Sequence, residues 1–285
     1  MNWVKTFFWM TILTLVLVIG GNLLFGRTGL VLGLGLALVT NGAAYFFGDR
    51  MALAAAQAQE VSPAEAPMLH ALADRLAAQY RVPKPRVYVS PDPSPNAFAT
   101  GRNPNHASIC VNQGLLQILD QEELYGVLAH EFAHVKNRDI LISTVVAVLA
   151  GAITLLAQIG QWGLFWGGGD DDNQNPLALI GVLLFVILGP IAALLIQLAV
   201  SRSREYEADH TGAEVSHDPL ALAGALRKLE RATQVIPSQT AQPAFAHLYL
   251  VNPLSGGTFS TLFSTHPPLE ERIRRLQAMA AQTRR

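Results

Sequence analysis

Charge is what this sequence has least of. Only 14% of its 285 residues are charged, where a soluble domain carries about 25%, so much of the chain is expected to lie in lipid. Cysteine is scarce as well. The single Cys110 excludes an internal disulfide and a cysteine-based metal cluster, and reads as a small buried apolar residue. Any metal must therefore be held by histidines and carboxylates. A formal net charge of -1 gives no reason to expect a nucleic-acid partner.

Hydrophobic residues, by contrast, make up 51% of the chain. Four apolar stretches approach the roughly 20 residues that cross a bilayer: Thr6 to Phe25, Gly29 to Phe47, Ile140 to Gly160 and Leu177 to Val200. None contains Lys, Arg, Asp, Glu or His, which argues against a channel or transporter. Gly26-Arg27-Thr28 makes a short turn between the first two, so an uncleaved hairpin is expected there rather than a signal peptide. The Gly29/Gly33 pair and Asn41 are expected to serve close helix packing and one interhelical hydrogen bond.

Positive charge sets the orientation. Arg50, Lys136 and Arg138 flank the segment between the second and third stretches, and Arg202 and Arg204 follow the fourth. The connection between the third and fourth has no Lys or Arg and carries Asp170, Asp171 and Asp172. The two polar segments should thus share the cytoplasmic side, with the acidic loop outside. The expected division is 1–48, a transmembrane hairpin; 49–139, the first part of a catalytic domain; 140–200, a second hairpin; and 201–285, the second part.

In the first polar segment, Leu69, Leu72, Leu76 and Tyr80 predict an amphipathic helix over Ala64–Tyr80. Arg86–Val89 and Ala107–Val111 read as strands. Asn96, Ala97 and Phe98 between them read either as an edge strand that pairs with an extended substrate or as a Pro-flanked loop. Asp120 and Glu123 predict a capping box opening a helix, with Leu124, Val127 and Leu128 as its buried stripe. That helix is expected to run with little interruption into the third apolar stretch.

Residues 130–134 read His-Glu-Phe-Ala-His. On a helix, His130 and His134 project from one face and can ligate one zinc ion. Glu131 can reach the attacking water and take its proton. A catalytic zinc usually takes a third protein ligand. The elongated HExxHxxGxxH form is excluded by Asn137 and Ile140. Glu205 and Asp209, spaced i,i+4 after the fourth stretch, share a helix face, with Glu207 turned away. One can ligate while the other accepts the second N–H of a histidine; spacing alone does not say which. His70, His106, His210, His217 and His247 lack ligand spacing and are expected at surfaces or turns. His266, before Pro267 and Pro268, either helps to start a basic helix over Leu269–Ala281 or donates to a developing oxyanion.

The ordered set of Asn96-Ala97-Phe98, His130–His134, Arg204-Glu-Tyr-Glu-Ala-Asp209 and Thr265-His266-Pro267-Pro268 resembles the HtpX-type heat-shock membrane zinc metalloproteases, relatives of the CAAX prenyl proteases. The resemblance covers nearly the whole chain. It implies Glu205 as third zinc ligand and Asp209 as its outer partner. It implies an α-rich integral membrane protein with about four transmembrane helices and a small α+β zincin-like (gluzincin) domain holding one zinc per chain. It further implies a bacterial inner-membrane endopeptidase, active at the cytoplasmic face on misfolded or damaged membrane proteins and unfolded polypeptides, in a stress response. A zinc-keeping membrane scaffold and a prenyl-protein protease are the alternatives. Oligomeric state is not legible.

Overall fold

In the computed structural model, the described residues are 2–151, 202–238, 241–253 and 267–283. The chain is helix-rich around one small sheet. It opens with a helical stretch, α1 (Asn2–Ala55), which is not straight. Asn41 Nδ2 donates to Met10 O at 3.3 Å and to Thr14 Oγ1 at 2.9 Å. In a continuous helix, 31 positions would separate Asn41 from Met10 by about 46 Å. The reversal falls at Gly26, whose φ of +59° suits glycine. The expected hairpin and its Asn41 hydrogen bond are therefore present. Gly33 packs against the other arm so closely that a Cβ would lie 2.3 Å from Leu17 O.

The second arm, Gly26–Ala55, is long and apolar enough to cross a membrane. Val31, Leu38 and Val39 on it are exposed, as side chains facing lipid would be. The apolar helix Thr6–Ile19 is shorter. Of the third apolar stretch, the structure describes the part up to Gly151, and it is helical (Asp139–Gly151). The fourth stretch and the acidic loop before it lie outside the described residues, so four spans are not established.

The sheet has the order β1-β2-β4-β3, formed by β1 (Gln59–Glu60), β2 (Arg86–Ser90), β3 (Ala97–Gly101) and β4 (Ala107–Asn112). β2 runs parallel to β4, and β3 antiparallel to it, with Phe98 opposite Cys110 and Ala99 opposite Ile109. Alternation sorts the side chains to two faces. Val87, Ala97, Ala99, Ile109 and Val111 join the core of the catalytic helices. Tyr88, Phe98 and Cys110 join a second core built with the hairpin and the helix after Asp139. Both faces are covered, which is why β3 and β4 are buried throughout.

The remaining helices are α2 (Pro67–Tyr80), α3 (Gln113–Ile118), α4 (Gln121–Asn137), α5 (Asp139–Gly151), α6 (Arg202–Ser216), α7 (Pro219–Val235) and α8 (Leu269–Thr283). One expectation about α4 needs correction. Its burial is not a stripe: Glu123 through Ala133 are all buried, because α2, α6, α7 and β3 pack around it. As expected, the chain runs on toward the third stretch with little interruption, a single residue. Arg138 takes the left-handed conformation at φ 60° and ends the helix before α5 begins.

Candidate active site

The site is built on α4, and α4 is fixed at its start. Asp120 accepts from Glu123 N at 2.9 Å, and the Glu123 carboxylate accepts from Asp120 N at 3.1 Å, the expected capping box. Two turns on, His130 and Glu131 are buried and His134 nearly so. The two imidazole rings stand 4.8 Å apart and almost perpendicular.

α6 brings the third donor. Gly212 makes its approach possible: a Cβ there would lie 2.9 Å from His130 N, so α6 rests directly on the backbone of α4. Gly212→Val should push the two helices apart, at about 1–3 kcal/mol of overpacking. A lower unfolding midpoint together with weaker metal binding is the expected result, read by thermal melting and metal titration.

With α6 seated, His130 Nε2 lies 3.7 Å from Glu205 Oε2, and His134 Nε2 lies 3.5 Å from Glu205 Oε1. The two Nε2 atoms are 3.1 Å apart. Three donors around a tetrahedral zinc at 2.0–2.1 Å would be about 3.3 Å apart. Among the described residues, His130, His134 and Glu205 form a three-ligand group fit for a metal ion.

The far side of each ring supports this. His130 Nδ1 lies 3.0 Å from Asp209 Oδ1, and His134 Nδ1 lies 3.2 Å from Asp139 Oδ2. Each carboxylate holds its imidazole as the Nδ1–H tautomer and leaves the Nε2 lone pair pointing inward. Two lone pairs and a carboxylate converge on one point. Such a donor set calls for a cation between them.

Electrostatics agree with that assignment. Burial drives His130 toward its neutral form. Burial acts the same way on His134, but the Asp139 hydrogen bond and the Glu205 and Glu131 charges outweigh it and raise its pKa to about 9. A divalent cation competes with that proton for the same lone pair. Burial raises Glu131 to about 7, partly offset by His134 and by the Ala99 N–H. A carboxyl tuned near neutrality suits a group that takes and returns a proton.

Asp209 is itself anchored by a residue that the sequence reading missed. Burial would raise its pKa, yet Arg272 and His130 bring it down to about 2. Arg272 Nε and Nη2 each donate to Asp209 at 2.7 Å, Nη1 donates to Leu250 O at 3.1 Å, and the side chain is fully buried. A signal for it existed. Arg272 sits among Leu269, Ile273, Leu276 and Ala280, on the apolar stripe of α8.

The structure thus brings together Glu131, His130, His134, Glu205 and Asp209. Glu207 is exposed, as its spacing required. His266 lies outside the described residues. Asn96, Ala97 and Phe98 do not line the cavity. Asn96 donates to Val251 O and accepts from Val251 N, Ala97 O accepts from Leu250 N, and Phe98 packs on Tyr249. They hold the 249–251 segment in place, and the strand residue on the cavity wall is Ala99. His247 is also not a surface residue. It is buried, lines the cavity and has Nε2 at 3.1 Å from Ser143 O.

The profile for Peptidase family M48 matches residues 63–280. The chain belongs to peptidase family M48. Family members similar to it along nearly their whole length include the "Protease HtpX homolog" of Persephonella marina, 50% identical over 98% of both chains. That of Pyrococcus furiosus is 49% identical over 98% of this chain and 96% of its own. The HtpX-type resemblance read from the motifs is therefore upheld. Among solved structures, Ste24p of S. mikatae shares the fold with a TM-score of 0.51 at 20% identity. The match covers 92% of this chain, which spans 62% of that one.

Proposed function

We propose that this chain is a zinc-dependent endopeptidase anchored in a membrane, with one zinc held by His130, His134 and Glu205. The convergence of those three donors, with Glu131 one residue along the same helix, is the observation that carries the reading. Zinc, when bound, supplies a Lewis acid for the water and the scissile carbonyl. Every other task falls to the chain. Asp209 and Asp139 keep the imidazoles oriented, Glu131 removes the water proton and passes it to the leaving amine, and burial keeps bulk water away.

β3 is an edge strand, and Leu250 and Thr144 occupy its outer side at Ala97 and Gly101. Ala99, between them on the cavity wall, has its N–H on Glu131, so an extended substrate would meet the strand there through the Ala99 carbonyl. A binding mode that reads main chain suits unfolded polypeptides of varied sequence. The proposed substrates are misfolded or damaged membrane proteins, cut at the cytoplasmic face of a bacterial inner membrane. The exposed apolar arm Gly26–Ala55 and the flanking positive charges support that location.

Metal removal tests the reading. Chelation of the detergent-solubilised protein should abolish casein cleavage, and one equivalent of zinc per chain should restore it. His130→Ala should bind no stoichiometric zinc. Full cleavage by the metal-free protein would defeat the proposal.

A further inference from the structure

Two arginines approach the site, and they are in opposite situations. Each nitrogen of Arg272 has an acceptor, on Asp209 or Leu250. Arg204, the residue before Glu205 on α6, lines the cavity with its side chain only 12% exposed. Its Nη1 is buried and has no hydrogen-bond acceptor among the described residues. Asp139 Oδ1 lies 3.8 Å from it, and the other oxygen of Asp139 faces His134. That separation is too long for a hydrogen bond. A guanidinium carries five donors in a fixed fork, and burying one short of acceptors is unfavourable. Such a group, at the wall of a cleft, is placed to receive oxygen from whatever enters.

We propose that Arg204 is a substrate-binding residue whose guanidinium takes a main-chain carbonyl oxygen of the polypeptide lying in the cavity. The inference rests on the peptidase reading above and adds a residue to it. A carbonyl is favoured over a substrate carboxylate because Glu131, Asp139 and Glu205 already line the same small cavity. A further negative charge would meet three acids, whereas a neutral oxygen adds none. The contact is independent of side-chain identity, like strand pairing at Ala99.

The test uses the full-length, zinc-loaded Glu131→Gln protein in detergent, with a labelled unstructured peptide that carries no Asp or Glu. Binding is read by fluorescence anisotropy. Adding Arg204→Gln should weaken Kd by about 10–100-fold, the range for a hydrogen bond to a charged group, with zinc content unchanged. Arg204→Lys, which keeps the charge and loses the fork, should fall between, and guards against a misfolded Gln variant. An unchanged Kd overturns the inference. So does loss of zinc, which would mean that Arg204 acts through Asp139 on His134. A loss confined to peptides containing Asp or Glu overturns the carbonyl assignment. If the parent with Arg204 intact binds no peptide and the wild type cleaves none, the peptidase reading itself fails, before any change at Arg204.

Discussion

Glu131→Gln is expected to lower kcat/KM by about 10²–10⁴-fold, the range for losing a positioned general base, with zinc still bound. Gln has nearly the shape of Glu and can accept the same Ala99 N–H, so the buried position should tolerate it. What it cannot do is take a proton from water. The three proposed ligands are untouched, and Asp209 and Asp139 still hold the two imidazole rings. Zinc content by metal analysis, measured beside casein cleavage, separates the two roles. A scaffold that keeps zinc only for structure would be indifferent to this change. Persistent cleavage would mean that another group activates the water.

The second large effect is expected at Arg272, and it is on stability. Arg272→Met leaves the Asp209 carboxylate in a buried site with its two strongest hydrogen bonds gone. Breaking one partner of a buried ion pair destabilises by about 3–5 kcal/mol. Metal affinity should fall too, because His130 depends on Asp209 for its orientation; loss of an outer partner typically weakens binding 10–100-fold. Denaturant unfolding and a zinc competition titration measure the two effects. Arg272→Met with Asp209→Asn should recover part of the stability, since no unpaired charge is then left inside. A double variant no more stable than the single one would show that Arg272 acts through packing on Leu250 instead.

Local rules carried much of the fold and of the site. Capping at Asp120, the helical spacing of His130 and His134, and the i,i+4 relation of Glu205 and Asp209 each depend on a few neighbouring residues, and each is found as read. What could not be read was tertiary in origin. Asp139 reaches His134 because Arg138 breaks the helix in the left-handed conformation; on a continuous helix, a residue five positions on would point elsewhere. Nothing local in Arg138 announces that break. Asn96, Ala97 and Phe98 read either as an edge strand open to substrate or as a loop, and Ala97 and Phe98 do begin the edge strand β3. The 249–251 segment, more than a hundred residues away in sequence, covers them. His247 has no ligand spacing at all, and its place on the cavity wall comes only from where α5 meets the 3-10 turn Pro243–Leu248. Arg272 differs, since a charge on an apolar stripe was legible and was passed over.

The Asp209–Arg272 fork also has a consequence for synthesis. Arg272 lies 142 positions after His130, which at roughly 5–20 residues per second puts about 7–28 seconds of translation between them. Until then the emerging polypeptide carries the first two imidazoles without the charge that steadies their partner. The cutting centre therefore matures late, after most of the chain has been made. If unfolded polypeptides are its substrates, as proposed, a nascent chain that cannot yet cut spares its own unfolded segments.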